Sequence, residues 1–190
     1  MNYRIETDFL GEMKIPFDAY YGIHTKRAVE NFPIADVSIS VYPNIVIAYA
    51  MVKLACARAN NKLGLLEDQI YIPIVSACER IINGEFHDQF IVEIIQGGAG
   101  TSTNMNANEV IANVALEIIG KDKGDYDSIS PLMHVNMSQS TNDTYPTALL
   151  VGFLKEYDPL LEAIKALSNS LLEFSNFPFF HKESDSLIIL

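Results

Sequence analysis

Apolar spacing divides the chain into helices of unequal clarity. Residues 104–119 give the cleanest pattern. Ala107, Val110, Ile111, Val114, Ala115 and Ile118 form one apolar stripe, Glu109, Asn113 and Glu117 line a second face at i, i+4 spacing, and Gly120 ends the helix. Residues 43–62 predict a helix opened by Pro43, which suits a first turn, and stopped by Gly64. Its only charge between Ile45 and Ala57 is Lys53, so most of its surface is expected to be buried. Residues 67–82 repeat Tyr71, Ile74, Val75, Cys78, Ile81 and Ile82 at helical spacing and end at Asn83-Gly84. In residues 146–174, Leu160, Ile164, Leu167, Leu171 and Phe174 approximate a coiled-coil seam, and Pro159 is expected to break the region into two helices. Residues 1–40, punctuated by Gly11, Pro16, Gly22 and Pro33, read as an extended arm with short turns and room for one hairpin. Residues 121–139 read as a polar connection around Gly124 and Pro131. No strong alternating pattern appears, so the fold class is mainly α. The last stretch, FPFFHKESDSLIIL from Phe177 to Leu190, does not continue the seam.

Composition narrows the function more than the fold. With 49% hydrophobic residues in 190, a buried core is expected. The net charge of -11 argues against nucleic-acid and anionic-membrane partners, which both select basic faces. A small anionic substrate stays open, because a site can be locally positive on an acidic protein. Cys56 and Cys78 lie in apolar helical patterns and fit no zinc spacing, so buried reduced thiols are expected. Met1–Leu10 has no signal-peptide core and no apolar run reaches membrane-spanning length, which makes the cytoplasm the expected location.

Two segments carry candidate chemistry. Gln96-Gly97-Gly98-Ala99-Gly100-Thr101-Ser102-Thr103-Asn104 precedes the cleanest helix. Its glycines let backbone N–H groups converge, the helix start adds partial positive charge, and four neutral side chains add donors. It can cradle a carboxylate or phosphate, or it can be a capped helix start after a flexible turn. A dinucleotide fingerprint fails at position 103, which is Thr, and an NTPase phosphate loop fails for want of a Lys. The second segment, Ser138 to Pro146, also leads into a helix, with Ser140, Thr141 and Asn142 as donors or simply as an N-cap box. Together they suggest two neutral cradles, one for each end of a dicarboxylate. Between Arg80 and Lys155 the only basic residues are Lys121 and Lys123, neither in a cradle. The cations opposing a dianion are therefore expected from the N-terminal arm, another subunit or sequence outside this chain.

The runs QGGAGTSTNMNANEVIAN (96–113) and QSTNDTYPT (139–147) resemble the aspartase/fumarase superfamily. RIETDFLGEMKIPFDAYYGIHTKRAVENF (4–32) is similar to the opening of aspartate ammonia-lyases. Fumarases tend to have SGSGTQSN and QSSND at the matching places, so the resemblance favours aspartase, with a fumarate hydratase-like lyase as the alternative. It covers about residues 4–175. It implies an N-terminal helical lyase domain over 1–140 and, over 141–190, the truncated start of a central long-helix bundle. It further implies homotetramers whose active sites are shared between subunits. The implied reaction is reversible deamination of L-aspartate to fumarate and ammonia, in which a loop serine removes the C3 proton and the site stabilises the resulting dianion. No metal or organic cofactor is implied.

By the same resemblance, Thr101, Ser140, Thr141 and Asn142 match substrate-contacting positions. Arg27 matches an arginine linked to activity, with a structural pairing to an acidic neighbour as its other reading. His24 is expected to be structural and His87 to lie in a surface loop. His134 stands in PLMHVN where the family usually has PNDHVN, which puts the secondary dicarboxylate site of fumarases in doubt. His181 follows Phe180 and does not match the family's GRTHxQDA-like histidine. That segment and a serine loop resembling GSSxMPxKxNP are absent from the 190 residues, so no catalytic residue is assigned and the chain alone is expected to be inactive. The competing readings are a non-catalytic remnant that associates with full-length subunits and a small carboxylate-binding module.

Overall fold

The computed structural model describes residues 2–95 and 99–175. Gln96-Gly97-Gly98 of the first cradle, the tail from Phe177 and His181 lie outside them. The chain divides into two compact units, Met1–Phe153 and Leu154–Leu190.

The first unit opens with an antiparallel hairpin, β1 (Tyr3–Asp8) and β2 (Gly11–Pro16), in register Tyr3 with Pro16 to Asp8 with Gly11. Gly11 takes φ 108, a conformation costly for any side chain bearing a Cβ, and Asp8 accepts from the Leu10 N–H across the turn at 2.8 Å. Helices α1 (Ile23–Asn31), α2 (Pro43–Lys62), α3 (Asp68–Ile82) and α4 (Thr101–Ile118) follow. A single π-helical turn at Pro131–Val135 interrupts the connection to α5 (Thr141–Ser175). The expected bounds of α2 agree with the structure, and α4 starts three residues earlier than the expected position 104. The mainly α fold class stands, with the hairpin as its only sheet among the described residues.

Helix α4 is the axis of the first unit, with every residue from Thr103 to Leu116 buried. Val110, Ile111 and Val114 join Val46, Ala50, Ile74, Ala77, Cys78 and Ile81 in one core. Of the polar residues that the sequence sets on a second face, Glu109 and Asn113 are buried too, while Glu117 is exposed, and the buried ones satisfy backbone groups of distant segments. Asn113 donates to Tyr20 O at 2.8 Å and accepts from the Gly124 N–H at 2.8 Å. Asn106 donates to Gln89 O at 3.0 Å. Backbone groups in irregular segments must find partners when water is excluded, and α4 supplies them.

Helix α1 has no periodic stripe strong enough to read from sequence. The N–H groups at its start, which no helical carbonyl reaches, are met by two carboxylates distant in sequence. Glu109 accepts from the N–H of Gly22 (2.8 Å), His24 (2.9 Å) and Thr25 (3.1 Å) and from the Thr25 hydroxyl (2.6 Å), while Glu6 accepts from the Ile23 N–H at 2.8 Å. Negative charge at a helix N-terminus also opposes the helix dipole favourably. Gly22 leaves room for this cap: a Cβ there would lie 2.7 Å from a Glu6 oxygen and 2.9 Å from the Glu109 carboxyl carbon.

In the second unit the described residues are helical through Ser175. The expected break at Pro159 does not occur, because α5 is one continuous helix from Thr141 to Ser175. A proline removes one N–H and crowds one carbonyl, which bends a helix without ending it when strong helix formers such as Lys155, Glu156, Leu160, Leu161 and Glu162 stand on either side. The seam positions Leu160, Ile164, Leu167, Leu171 and Phe174 are all exposed.

Candidate functional site

The two cradle segments meet. Gly100 is the N-cap of α4 with φ 77, and Tyr145 of α5 packs so closely on it that a Cβ at position 100 would overlap the ring. One turn into α4, Asn104 donates through Nδ2 to the Thr141 hydroxyl oxygen at 3.3 Å. Thr141 is the first residue of α5, so two helix N-termini face one region. Their ends differ. In α5, Ser140 Oγ accepts from the Asn142 N–H at 3.1 Å and Asp143 accepts from the Ser140 N–H at 3.4 Å, which is a reciprocal capping box. Gly100, the N-cap of α4, makes no side-chain cap hydrogen bond, and the first N–H groups of a helix are the ones that suit an anion. Thr101, Ser140 and Asn142 are exposed and Thr141 is half-buried.

Beneath this meeting point lies a cation that sequence reasoning had assigned only to a helix core. Lys53 is fully buried in α2. Its Nζ donates to Asn104 Oδ1 at 2.6 Å, Gln139 Oε1 at 2.9 Å and Asn136 Oδ1 at 3.1 Å. Asn136 Oδ1 also accepts from Asn104 Nδ2 at 3.0 Å and Asn108 Nδ2 at 3.1 Å, and Thr144 donates to Asn104 Oδ1 at 3.1 Å. The network thus joins α2, α4, the 136–139 connection and α5. Burial pushes the Lys53 ammonium down to about 7. Sequence reasoning looks for cations in the N-terminal arm, another subunit or sequence outside the chain and misses Lys53 of α2, which packing rather than sequence proximity places here.

Arg27 does not join the cluster's hydrogen bonds. Its Nε and Nη2 grip Asp8 at 2.7 and 2.8 Å, and Nη2 also donates to Gly11 O at 3.0 Å. The guanidinium beside Asp8 holds that carboxyl below its ordinary 3.8. A depressed carboxylate pKa stabilises above pH 3.8 and the contribution is lost as pH falls through the lowered value. Arg27→Met should therefore speed amide exchange in the hairpin while leaving α2–α4 protected, and hydrogen exchange read by NMR checks it.

The three described histidines lie elsewhere. His24 gives its backbone N–H to Glu109, His87 contacts Ile81 O through Nε2 at 2.8 Å, and His134 Nδ1 accepts from the Ser130 N–H at 2.9 Å within the π turn. Both cysteines are free; Cys78 is buried and Cys56 half-buried. No described helix is long and apolar enough to cross a membrane, and the described residues hold no cluster of three potential metal ligands.

A family profile described as Lyase matches residues 11–176. The chain belongs to this lyase family. It is 56% identical over 164 residues to an aspartate ammonia-lyase of Pseudomonas aeruginosa, covering 86% of this chain and 35% of that protein. It is 55% identical over 163 residues to an aspartate ammonia-lyase of Bacillus subtilis, covering 86% and 34%. A crystal structure named fumarate lyase:delta crystallin from Brucella melitensis superposes with a TM-score of 0.78 at 58% identity, over 80% of this chain and 34% of that one. The lyase chain therefore spans about a third of the length of the relatives it matches.

Proposed function

We propose that this chain carries the carboxylate-holding part of an aspartate ammonia-lyase, which deaminates L-aspartate reversibly to fumarate and ammonia. The observation that supports it best is the docking of two helix N-termini at Asn104–Thr141 over the buried Lys53 ammonium. Donors from Thr101 and the open first turn of α4 take one carboxylate. Ser140, Thr141 and Asn142 take the other carboxylate or the amino group. In this reading Arg27 serves the site indirectly, by fastening the hairpin through Asp8. The serine base belongs to a segment outside these 190 residues. The whole protein is then a cytoplasmic homotetramer with shared active sites, and the exposed apolar positions of α5 become subunit contacts.

Fumarate formation from L-aspartate, followed by absorbance with L-malate as control, tests this reading. The purified chain is expected to be silent alone and to gain activity when the remaining two thirds of a relative is supplied. Turnover by the chain alone would refute the division of labour. Turnover of L-malate but not L-aspartate after complementation would favour a hydratase.

A further inference from the structure

Lys53 sits in neither cradle segment, yet its ammonium bonds to Asn104 and Gln139 within them and to Asn136 beside the second. We infer that Lys53 is a positioning residue, whose ammonium ties the 136–141 connection to the first turn of α4 and so holds the Thr141 hydroxyl in place for a substrate carboxylate. The carboxylate is the one step that rests on the dicarboxylate reading above. The tie itself rests on geometry.

Three acceptor oxygens surround Nζ, and an ammonium has three N–H bonds to give. A neutral amine has two, and its lone pair would face an amide oxygen. The tie is therefore a property of the charged form. None of the ion pairs among the described residues includes Lys53. Its charge is solvated by amide dipoles alone, an arrangement that costs free energy. The path outward is short: Lys53 holds Asn104 Oδ1, and Asn104 Nδ2 donates to Thr141 Oγ1, which leaves the threonine proton free to point away from Asn104.

The surroundings isolate this titration. On α2, Tyr49 and Cys56 are both pushed upward by burial, as is Cys78 on α3, so all three stay neutral near pH 7. Asn104, Asn136 and Gln139 carry no charge. Asp143 on α5 acts on Cys56. His134, in the π turn, is held below 6.5 by burial and has lost its proton before the window opens. Lys53 keeps its proton up to about 10.5 when unfolded and to about 7 when folded. Between those values unfolding takes up a proton, so this group's contribution to global stability rises with pH. The tie loosens over the same range. The two effects have opposite signs, which separates positioning from general stabilisation.

The test follows amide exchange of the 190-residue chain at pH 6 and 8.5, corrected for intrinsic rates, with fumarate binding measured by calorimetry at both values. In the wild type, amides of residues 136–144 are expected to exchange roughly tenfold faster at pH 8.5, while α2 and α4 stay protected. Lys53→Met should show the loosened segment already at pH 6, with no further pH response, and should bind fumarate about tenfold more weakly than wild type at pH 6. Equal protection of the segment at both pH values, or in both proteins, would overturn the inference. If Lys53→Met does not fold, the wild-type comparison decides. A segment that loosens as expected in a chain that binds no fumarate keeps the tie and removes the dicarboxylate reading.

Discussion

Glu109→Ala is expected to release α1 from the helical core and to lower the stability of the first unit by about 4 kcal/mol. The side chain is fully buried and takes four donors, three of them backbone N–H groups at the start of α1. Alanine leaves all four without an acceptor in a place that water reaches poorly. A loss of this size is a large part of the marginal stability of a domain. Glu109→Gln should cost about half as much, because its carbonyl can replace Oε2 and keep three donors while its amide NH2 opposes the His24 N–H. Burial pushes the Glu109 carboxyl above its ordinary 4.5, and the four donors pull the other way. Chemical denaturation of both variants, with amide exchange at residues 22–25, reads the result. A Gln variant as stable as wild type would show that the ionised carboxylate is not what holds α1.

That latch also explains what was legible in the sequence. Helix α2 is readable from end to end because Pro43 opens it, its apolar run is continuous and Gly64 follows. Helix α3 is readable from its periodic stripe. Those are local signals. Helix α1, with the sequence IHTKRAVEN, has no cap of its own, and its donors are met by Glu109, more than 80 residues further on. Nothing within a helical window points there. Lys53 is similar. Its neighbours in sequence are apolar, and its partners Asn104, Asn136 and Gln139 lie 51, 83 and 86 residues away. A lone charge in an otherwise apolar run was the available signal, since a buried lysine must find hydrogen-bond acceptors somewhere. Pro159 misled in the opposite direction, because a local rule about one missing N–H was set against the helix-forming strength of its flanks.

The docking of the cradles depends on a residue that has no side chain. Gly100→Ala is expected to cost about 3 kcal/mol, the sum of a left-handed backbone penalty and overpacking against a ring. The backbone at position 100 has φ 77, and its Cβ would overlap Tyr145. Tyr145 has little room to retreat, since its ring also faces that of buried Tyr49, with centroids 6.4 Å apart. The strain should fall on the junction between α4 and the start of α5, where Asn104 meets Thr141. Fumarate affinity should drop with stability, if the two N-termini act together. A double-mutant cycle separates the causes. Tyr145→Ala in the Gly100→Ala background removes the overlap and leaves the backbone penalty, so the double variant should lose less stability than the sum of the two single losses. Strict additivity of the two losses would mean that the ring does not press on position 100. The polar network around Lys53 would then carry more of the contact between the two cradles.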